Sequence, residues 1–132
     1  MPTQAATNNR MAEAVGSPVI AALISFFVGT IALFVYALGS GGTITSLAAA
    51  RNAPPVAWAG GLLGAFFVTA TVALLPRLGV AMTFSAIIAG QMVVTLVIDH
   101  FGLLGVPVKE ISFARIAGML LITAGVILIR KF

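Results

Sequence analysis

The chain has no cysteine and a single histidine among its 132 residues. The first absence excludes disulfides and thiolate metal sites, and the second excludes a metal site built from several histidines of one chain. Charge is almost as scarce. Only 8% of the residues are charged and just three are acidic, where an ordinary soluble domain is roughly a quarter charged. Nothing in so small an inventory resembles a catalytic triad, a phosphate-binding loop or a metal-ligand cluster. The sequence therefore predicts no enzyme, no metal and no cofactor. A net charge of +4, taken alone, is compatible with nucleic acid as a partner. However, Arg10, Arg51, Arg77, Lys109, Arg115, Arg130 and Lys131 are scattered at the ends of apolar runs, with no basic stripe and no interleaved aromatics. That is the pattern of cationic flanks on membrane spans rather than of a nucleic-acid surface. The opening segment MPTQAATNNRMAEAVG lacks the apolar centre of a signal peptide and is not expected to be one.

What the chain does have is length without charge. Residues 18–38, 56–75, 79–98 and 113–129 form four apolar runs in a sequence that is 61% hydrophobic, with mean hydropathy +1.18. At about 1.5 Å rise per residue, a helix of about 20 residues spans the roughly 30 Å hydrocarbon core of a bilayer. The runs do not alternate apolar with polar residues, so a barrel is not expected. Helices satisfy their own backbone groups where no water is available. The expected fold class is an all-α integral membrane protein of one domain with four transmembrane helices, its partner the lipid bilayer. Residues 2–15, read alone, form a disordered or surface N-terminal arm before them.

Local signals place the ends. Ser17-Pro18 reads as a cap followed by proline at the first helical position. Gly39-Ser40-Gly41-Gly42 ends the first run, and Pro54-Pro55 opens the second. Tyr36 and Trp58 sit where interfacial aromatics are expected. Pro76-Arg77-Leu78 reads as a tight connection that would make the second and third helices antiparallel neighbours. Asp99-His100-Phe101-Gly102 ends the third run, and Ser112 is a candidate cap for the fourth. Gly60-x-x-x-Gly64 has the small-residue spacing that lets helices approach closely in lipid. Gly90, Gly118 and Gly125 are further packing candidates, the last two seven residues apart on one helix face.

Polar residues deep in a membrane run are candidates for function. Gln91 lies in mid-run between Gly90 and Met92, as an interhelical hydrogen bond or a substrate contact. Asp99 and His100 are the one acid–imidazole neighbour pair. Adjacent helical residues do not face each other, so an interfacial helix end is the plain reading and proton coupling by Asp99 the sharper one. Gln4, Asn8 and Asn9, with Thr7, cluster ahead of the first run as a polar arm. Ser25, Thr30, Thr69, Thr71, Thr83 and Thr95 can bond to their own helix backbone and need no further role.

The stretches PTQAATNNRMAEAVGSPVIAALISFFVGTIAL, WAGGLLGAFFVTATVALLPRLGVA, IIAGQMVVTLVIDHFGLLGVP and RIAGMLLITAGVILIR together resemble the drug/metabolite transporter superfamily. They are similar to its EamA-like, single-repeat, YdcZ-type inner-membrane exporters of bacteria. The resemblance rests on Gln4, Asn8, Gly16-Ser17-Pro18, Gly29, Gly90-Gln91 and Asp99-His100-Phe101-Gly102 in combination, and covers nearly all of residues 2–132. It implies a half-size repeat of five helices whose first helix this chain enters partway, with a misassigned start as the expected reason. It also implies a multi-pass inner-membrane transporter of small metabolites, a small-molecule substrate, and Gln4, Asn8 and Asn9 as buried polar groups near the transport path together with Gln91. Small multidrug transporters, similar in size, carry a carboxylate deep in their first helix, and no such acid stands here. Paired repeats bind substrate at their interface, so the expected assembly is a homodimer or a pair of half-transporters. A non-transporting membrane subunit or interaction protein is the alternative.

With four spans, Arg10, Arg77, Arg130 and Lys131 lie on one side and Arg51, Lys109 and Arg115 on the other. The one-residue difference gives the positive-inside rule little to act on. It leans to a cytoplasmic C-terminus but permits both orientations, and hence an antiparallel homodimer. In this cysteine-free chain, Ser40→Cys gives a single reporter for a membrane-impermeant thiol reagent. About half of the protein should label in intact cells and all of it after permeabilisation, as near-equal flanking charge implies; all-or-none labelling would fix one orientation instead.

Overall fold

The computed structural model of the chain describes residues 1–41 and 44–131. Gly42, in the expected glycine-rich stop, lies outside them. The described elements are helical: α1 (Pro2–Val15), α2 (Pro18–Gly39), α3 (Ile44–Ala49), α4 (Pro55–Phe101) and α5 (Phe113–Lys131), with 3-10 turns at Ala50–Asn52 and Leu103–Gly105. Three of them, α2, α4 and α5, are long and apolar enough to cross a membrane. The chain divides into two units, Met1–Arg77 and Leu78–Phe132.

In the first unit the reversal between α1 and α2 is made by two residues. Gly16 adopts φ 71°, ψ 15°, the left-handed conformation that closes α1 and that glycine reaches without a Cβ penalty. Ser17 is extended, and its hydroxyl accepts a hydrogen bond from the Ile20 amide at 3.4 Å, with Pro18 beginning α2. So short a link folds α1 back along α2, and the two helices pack on each other. The packed rows are small. Ala5, Ala21 and Ala22 are buried, and Ala12, Ser25 and Gly29 are half-buried, which lets the backbones approach closely.

The connection after α2, which the sequence presents as a small, polar linker, contains α3 and the 3-10 turn. Its Leu47-Ala48-Ala49-Ala50 stretch favours helix even in so short a piece. A larger difference lies in α4. At 47 residues an unbroken helix would run about 70 Å, more than twice the hydrocarbon core. It is interrupted at Gly79, where φ is 75° and ψ is 165°, a region open in practice only to glycine. The expected turn at Pro76-Arg77-Leu78 is not there: helix continues through all three residues and the break falls at Gly79. Pro76 lacks an amide hydrogen and crowds the carbonyl one turn back, but the change of backbone hand needs a residue without a Cβ. The expected runs 56–75 and 79–98 are thus parts of α4, in segments 55–78 and 80–101.

The buried apolar set is small: Ala5, Ala21, Ala22, Val72 and Leu75. Large apolar side chains point outward instead, among them Leu62 at 76% and Phe66 at 73% exposure. In water such a surface would be heavily penalised; in a bilayer it is the surface that lipid solvates.

The Gly79 conformation gives a direct test. A Cβ built there meets no atom within 4 Å, so Gly79→Ala adds backbone strain without a clash. It should cost about 1–3 kcal/mol, seen as a lower midpoint of thermal or denaturant unfolding in detergent. Gly61→Ala, at a helical position with nothing within 4 Å, should leave the midpoint unchanged or raise it.

Candidate functional site

The polar arm of the sequence becomes one face of the α1–α2 pair. Counting outward from the Gly16-Ser17 turn, Asn8 is level with Ser25 and Gln4 with Gly29. A cavity of about 210 Å³ confirms that register: it is lined by Gln4 from α1 and by Ser25, Phe26, Gly29, Thr30 and Leu33 from α2. A second cavity of about 280 Å³ lies toward the turn, where Asn9 and Glu13 of α1 meet Gly16, Pro18, Val72 and Pro76. Here the Asn9 amide donates to the Glu13 carboxylate at 2.8 Å, one helical turn apart.

Asn8, between the two cavities in sequence, is 7% exposed. Its Nδ2 is buried and has no hydrogen-bond partner among the described residues. A buried donor without an acceptor costs about 1–3 kcal/mol, and native proteins rarely keep one without a reason. Gln4 and Asn9 flank it, the first exposed and the second half-buried. The structure therefore brings Gln4, Asn8 and Asn9 onto one helix but gives them three different surroundings. Glu13 joins them as a cavity wall. Ser25 and Thr30 join from α2; the n-to-n spacing across a two-residue turn was the sequence signal for that pairing.

Gln91 belongs to the second unit, on segment 80–101 of α4. It is exposed, and among the described residues its side chain makes no hydrogen bond, although its backbone carbonyl accepts from the Thr95 hydroxyl at 2.8 Å. Thr30, Thr71, Thr83 and Thr123 turn back on their own helices in the same way, at 2.7–2.9 Å. No such bond is made by Ser25 or Thr69 among the described residues.

Asp99, at the end of α4, is part of a clasp. Arg115 Nη1 donates to Asp99 Oδ2 at 3.1 Å and to the Lys109 carbonyl at 3.3 Å. The Lys109 amide donates to the Asp99 carbonyl at 2.8 Å, and the Ile111 amide reaches His100 Nδ1 at 3.4 Å. His100 turns edge-on to Phe101, with ring centroids 4.8 Å apart. Between these anchors the chain reverses tightly: Gly102, Leu104 and Gly105 all have positive φ. A Cβ at Gly102 would lie 2.7 Å from Val108 Cγ2, so glycine is required there on two counts. Ser112 caps α5, its hydroxyl accepting from the Arg115 amide at 3.3 Å. Asp99 and His100 thus lie side by side in sequence but serve separate contacts.

Among the packing glycines, Gly64 has a neighbour: a Cβ there would touch the Phe26 ring at 3.5 Å, an ordinary contact between α4 and α2. At Gly60, Gly90, Gly118 and Gly125 a Cβ meets nothing within 4 Å.

Two outcomes follow. Asn8→Leu removes the orphaned donor and fills similar space; its unfolding midpoint in detergent should match or exceed that of the unaltered chain, within about 1 kcal/mol, whereas a needed structural bond would lower it. A double-mutant cycle of Asp99→Ala and Arg115→Ala should give a coupling of about 0.5–1 kcal/mol, as expected of a partly exposed pair.

A family model described as "Putative inner membrane exporter, YdcZ" matches residues 1–128. The inner membrane protein YdcZ of Escherichia coli (strain K12) is 35% identical over 71 residues, which cover 54% of this chain and 47% of that protein. The matched stretch thus spans about half the length of this curated relative. No solved structure matches the chain. The apolar helices, the amide-bearing α1–α2 face and a match over nearly the whole length agree: the chain is an inner-membrane protein and belongs to the YdcZ exporter family of the drug/metabolite transporter superfamily.

Proposed function

We propose that this chain exports small metabolites across the bacterial inner membrane as a dimer of half-size repeats. The observation that carries the reading is the buried, unpartnered Asn8 amide on a helix whose neighbouring polar residues, Gln4 and Asn9, line cavities. A donor left open in a membrane protein is useful to a passing polar solute and costly otherwise. In this reading the chain crosses the bilayer four times, through α2, the two segments of α4 and α5. Segments 55–78 and 80–101 are each about 33–36 Å long, enough for one crossing apiece. Gln4, Asn8, Asn9 and Gln91 line the path, and the second copy supplies the matching half, as in transporters built from paired repeats. A homologous half-transporter could take its place. The substrate surroundings are amide and hydroxyl groups, which suit a neutral or weakly charged solute. Asp99 is read as the pin of the 102–112 connection rather than as a proton-coupling group, because Arg115 occupies its Oδ2.

The second reading, a membrane subunit or interaction protein without transport, draws support from that same pairing, which leaves few free charges to couple to an ion gradient. The two readings separate on Gln91→Ala. Overproducing cells should release a defined set of low-mass solutes into the medium relative to cells lacking the protein. Gln91→Ala should cut that release about tenfold, the equivalent of about 1.4 kcal/mol, at an unchanged membrane protein level. Loss of the protein itself, with no change in release per molecule, would favour the subunit reading.

A further inference from the structure

The connection from α4 to α5, residues 102–112, has no regular structure beyond the Leu103–Gly105 turn. Its main-chain groups must therefore find partners elsewhere, and the last residues of α4 supply them. The Lys109 amide donates to the Asp99 carbonyl at 2.8 Å, and the Ile111 amide donates to His100 Nδ1 at 3.4 Å. The Arg115 guanidinium ties Asp99 Oδ2 to the Lys109 carbonyl. All of these groups belong to the unit Leu78–Phe132.

One of these bonds differs in kind. A peptide carbonyl accepts at any pH, and a carboxylate paired with a guanidinium keeps its charge near neutrality. A ring nitrogen accepts only while it carries no proton. For Nδ1 to receive the Ile111 amide, the imidazole must be neutral, with its hydrogen on Nε2. A second proton turns Nδ1 into a donor and sets N–H against N–H. Imidazole is the side chain that ordinarily takes up such a proton between pH 5 and 8. The charged groups of this corner are Asp99 on the same helix, Lys109 and Glu110 on the connection, and Arg115 on α5. Asp99 is engaged by Arg115, and among the described residues no other acceptor meets the Ile111 amide.

We propose that His100 is a proton-operated latch on the α4–α5 connection, closed by the neutral imidazole and released when Nδ1 is protonated. The proton comes from solution and returns to it. The sign follows from the proton count: the released form binds one proton more than the closed form, so acid favours release. Release is local. The Lys109 amide keeps the Asp99 carbonyl, and Arg115 keeps its two partners, so the connection stays tied at 109 and loosens at 111. The next residue is Ser112, whose hydroxyl caps α5. The pH on that side of the bilayer is thereby coupled to the entry of the last helix. The latch goes beyond the exporter reading and stands whether or not the chain transports.

Amide hydrogen exchange of the full chain in detergent micelles, corrected for the intrinsic rate at each pH, reads the latch at Ile111. From pH 7.5 to 5.5 the protection factor there should fall at least about threefold, out of the about tenfold that one proton allows. The α5 amides from Met119 to Leu128 should keep their protection. His100→Asn places a carbonyl oxygen where Nδ1 stands, and that oxygen accepts at either pH; this variant should retain protection and lose the pH response. His100→Leu, with no acceptor, should be unprotected at both pH values. An equal fall in His100→Asn would place the pH response elsewhere and overturn the latch. So would unchanged protection in the unaltered chain, or a fall shared by the α5 amides, which would be general unfolding.

Discussion

The constraint on which everything else in this chain depends is that hydrocarbon offers a polar group no partner. The backbone answers by closing its hydrogen bonds within helices. The hydroxyls of Thr30, Thr71, Thr83, Thr95 and Thr123 answer by bonding to carbonyls one turn back. The guanidinium of Arg115 answers by holding Asp99 and the Lys109 carbonyl at the end of α4. Asn8 and Gln91 are left over, and each is a carboxamide, too rich in donors and acceptors to be satisfied by its own helix. The proposed function rests on these groups for that reason.

Glycine does the rest of the positioning, in distinct ways. At Gly16 and Gly102 the left-handed backbone ends a helix and reverses the chain, at the second position with Val108 pressed against the missing side chain. At Gly79 a conformation closed to other residues divides an otherwise continuous 47-residue helix. At Gly64 a Cβ would make only an ordinary contact with the Phe26 ring, at 3.5 Å. At the other described glycines a Cβ would meet nothing within 4 Å.

The scarcity of charge has the same origin. A carboxylate within the hydrocarbon core is costly, and the chain's three acids sit near helix ends or in the connection between them. Glu13 is held by Asn9 and Asp99 by Arg115. Among the described residues no acid lies in the middle of a helix, and the carboxamides of Asn8 and Gln91 carry no charge.

Much of this was legible beforehand. Helical class, membrane residence, the caps at Ser17 and Ser112 and the stop at Gly102 follow from hydrophobic length and from residues acting on their immediate neighbours. The combination of Gln4, Asn8, Gly90-Gln91 and Asp99-His100 was enough to suggest the family. The break at Gly79 rather than at Pro76-Arg77-Leu78 was less legible, because proline and glycine both punctuate helices and only the required backbone angles separate them. What the tertiary structure alone decided is which polar groups are satisfied. Asn8 is buried and unpaired, Gln4 looks into a cavity, Gln91 faces outward, and Asp99 finds Arg115 sixteen residues on. The physical reason is range. Transfer from water and helix formation are summed over neighbouring residues and can be read from a string, whereas burial and pairing depend on which faces meet after the chain has folded back on itself.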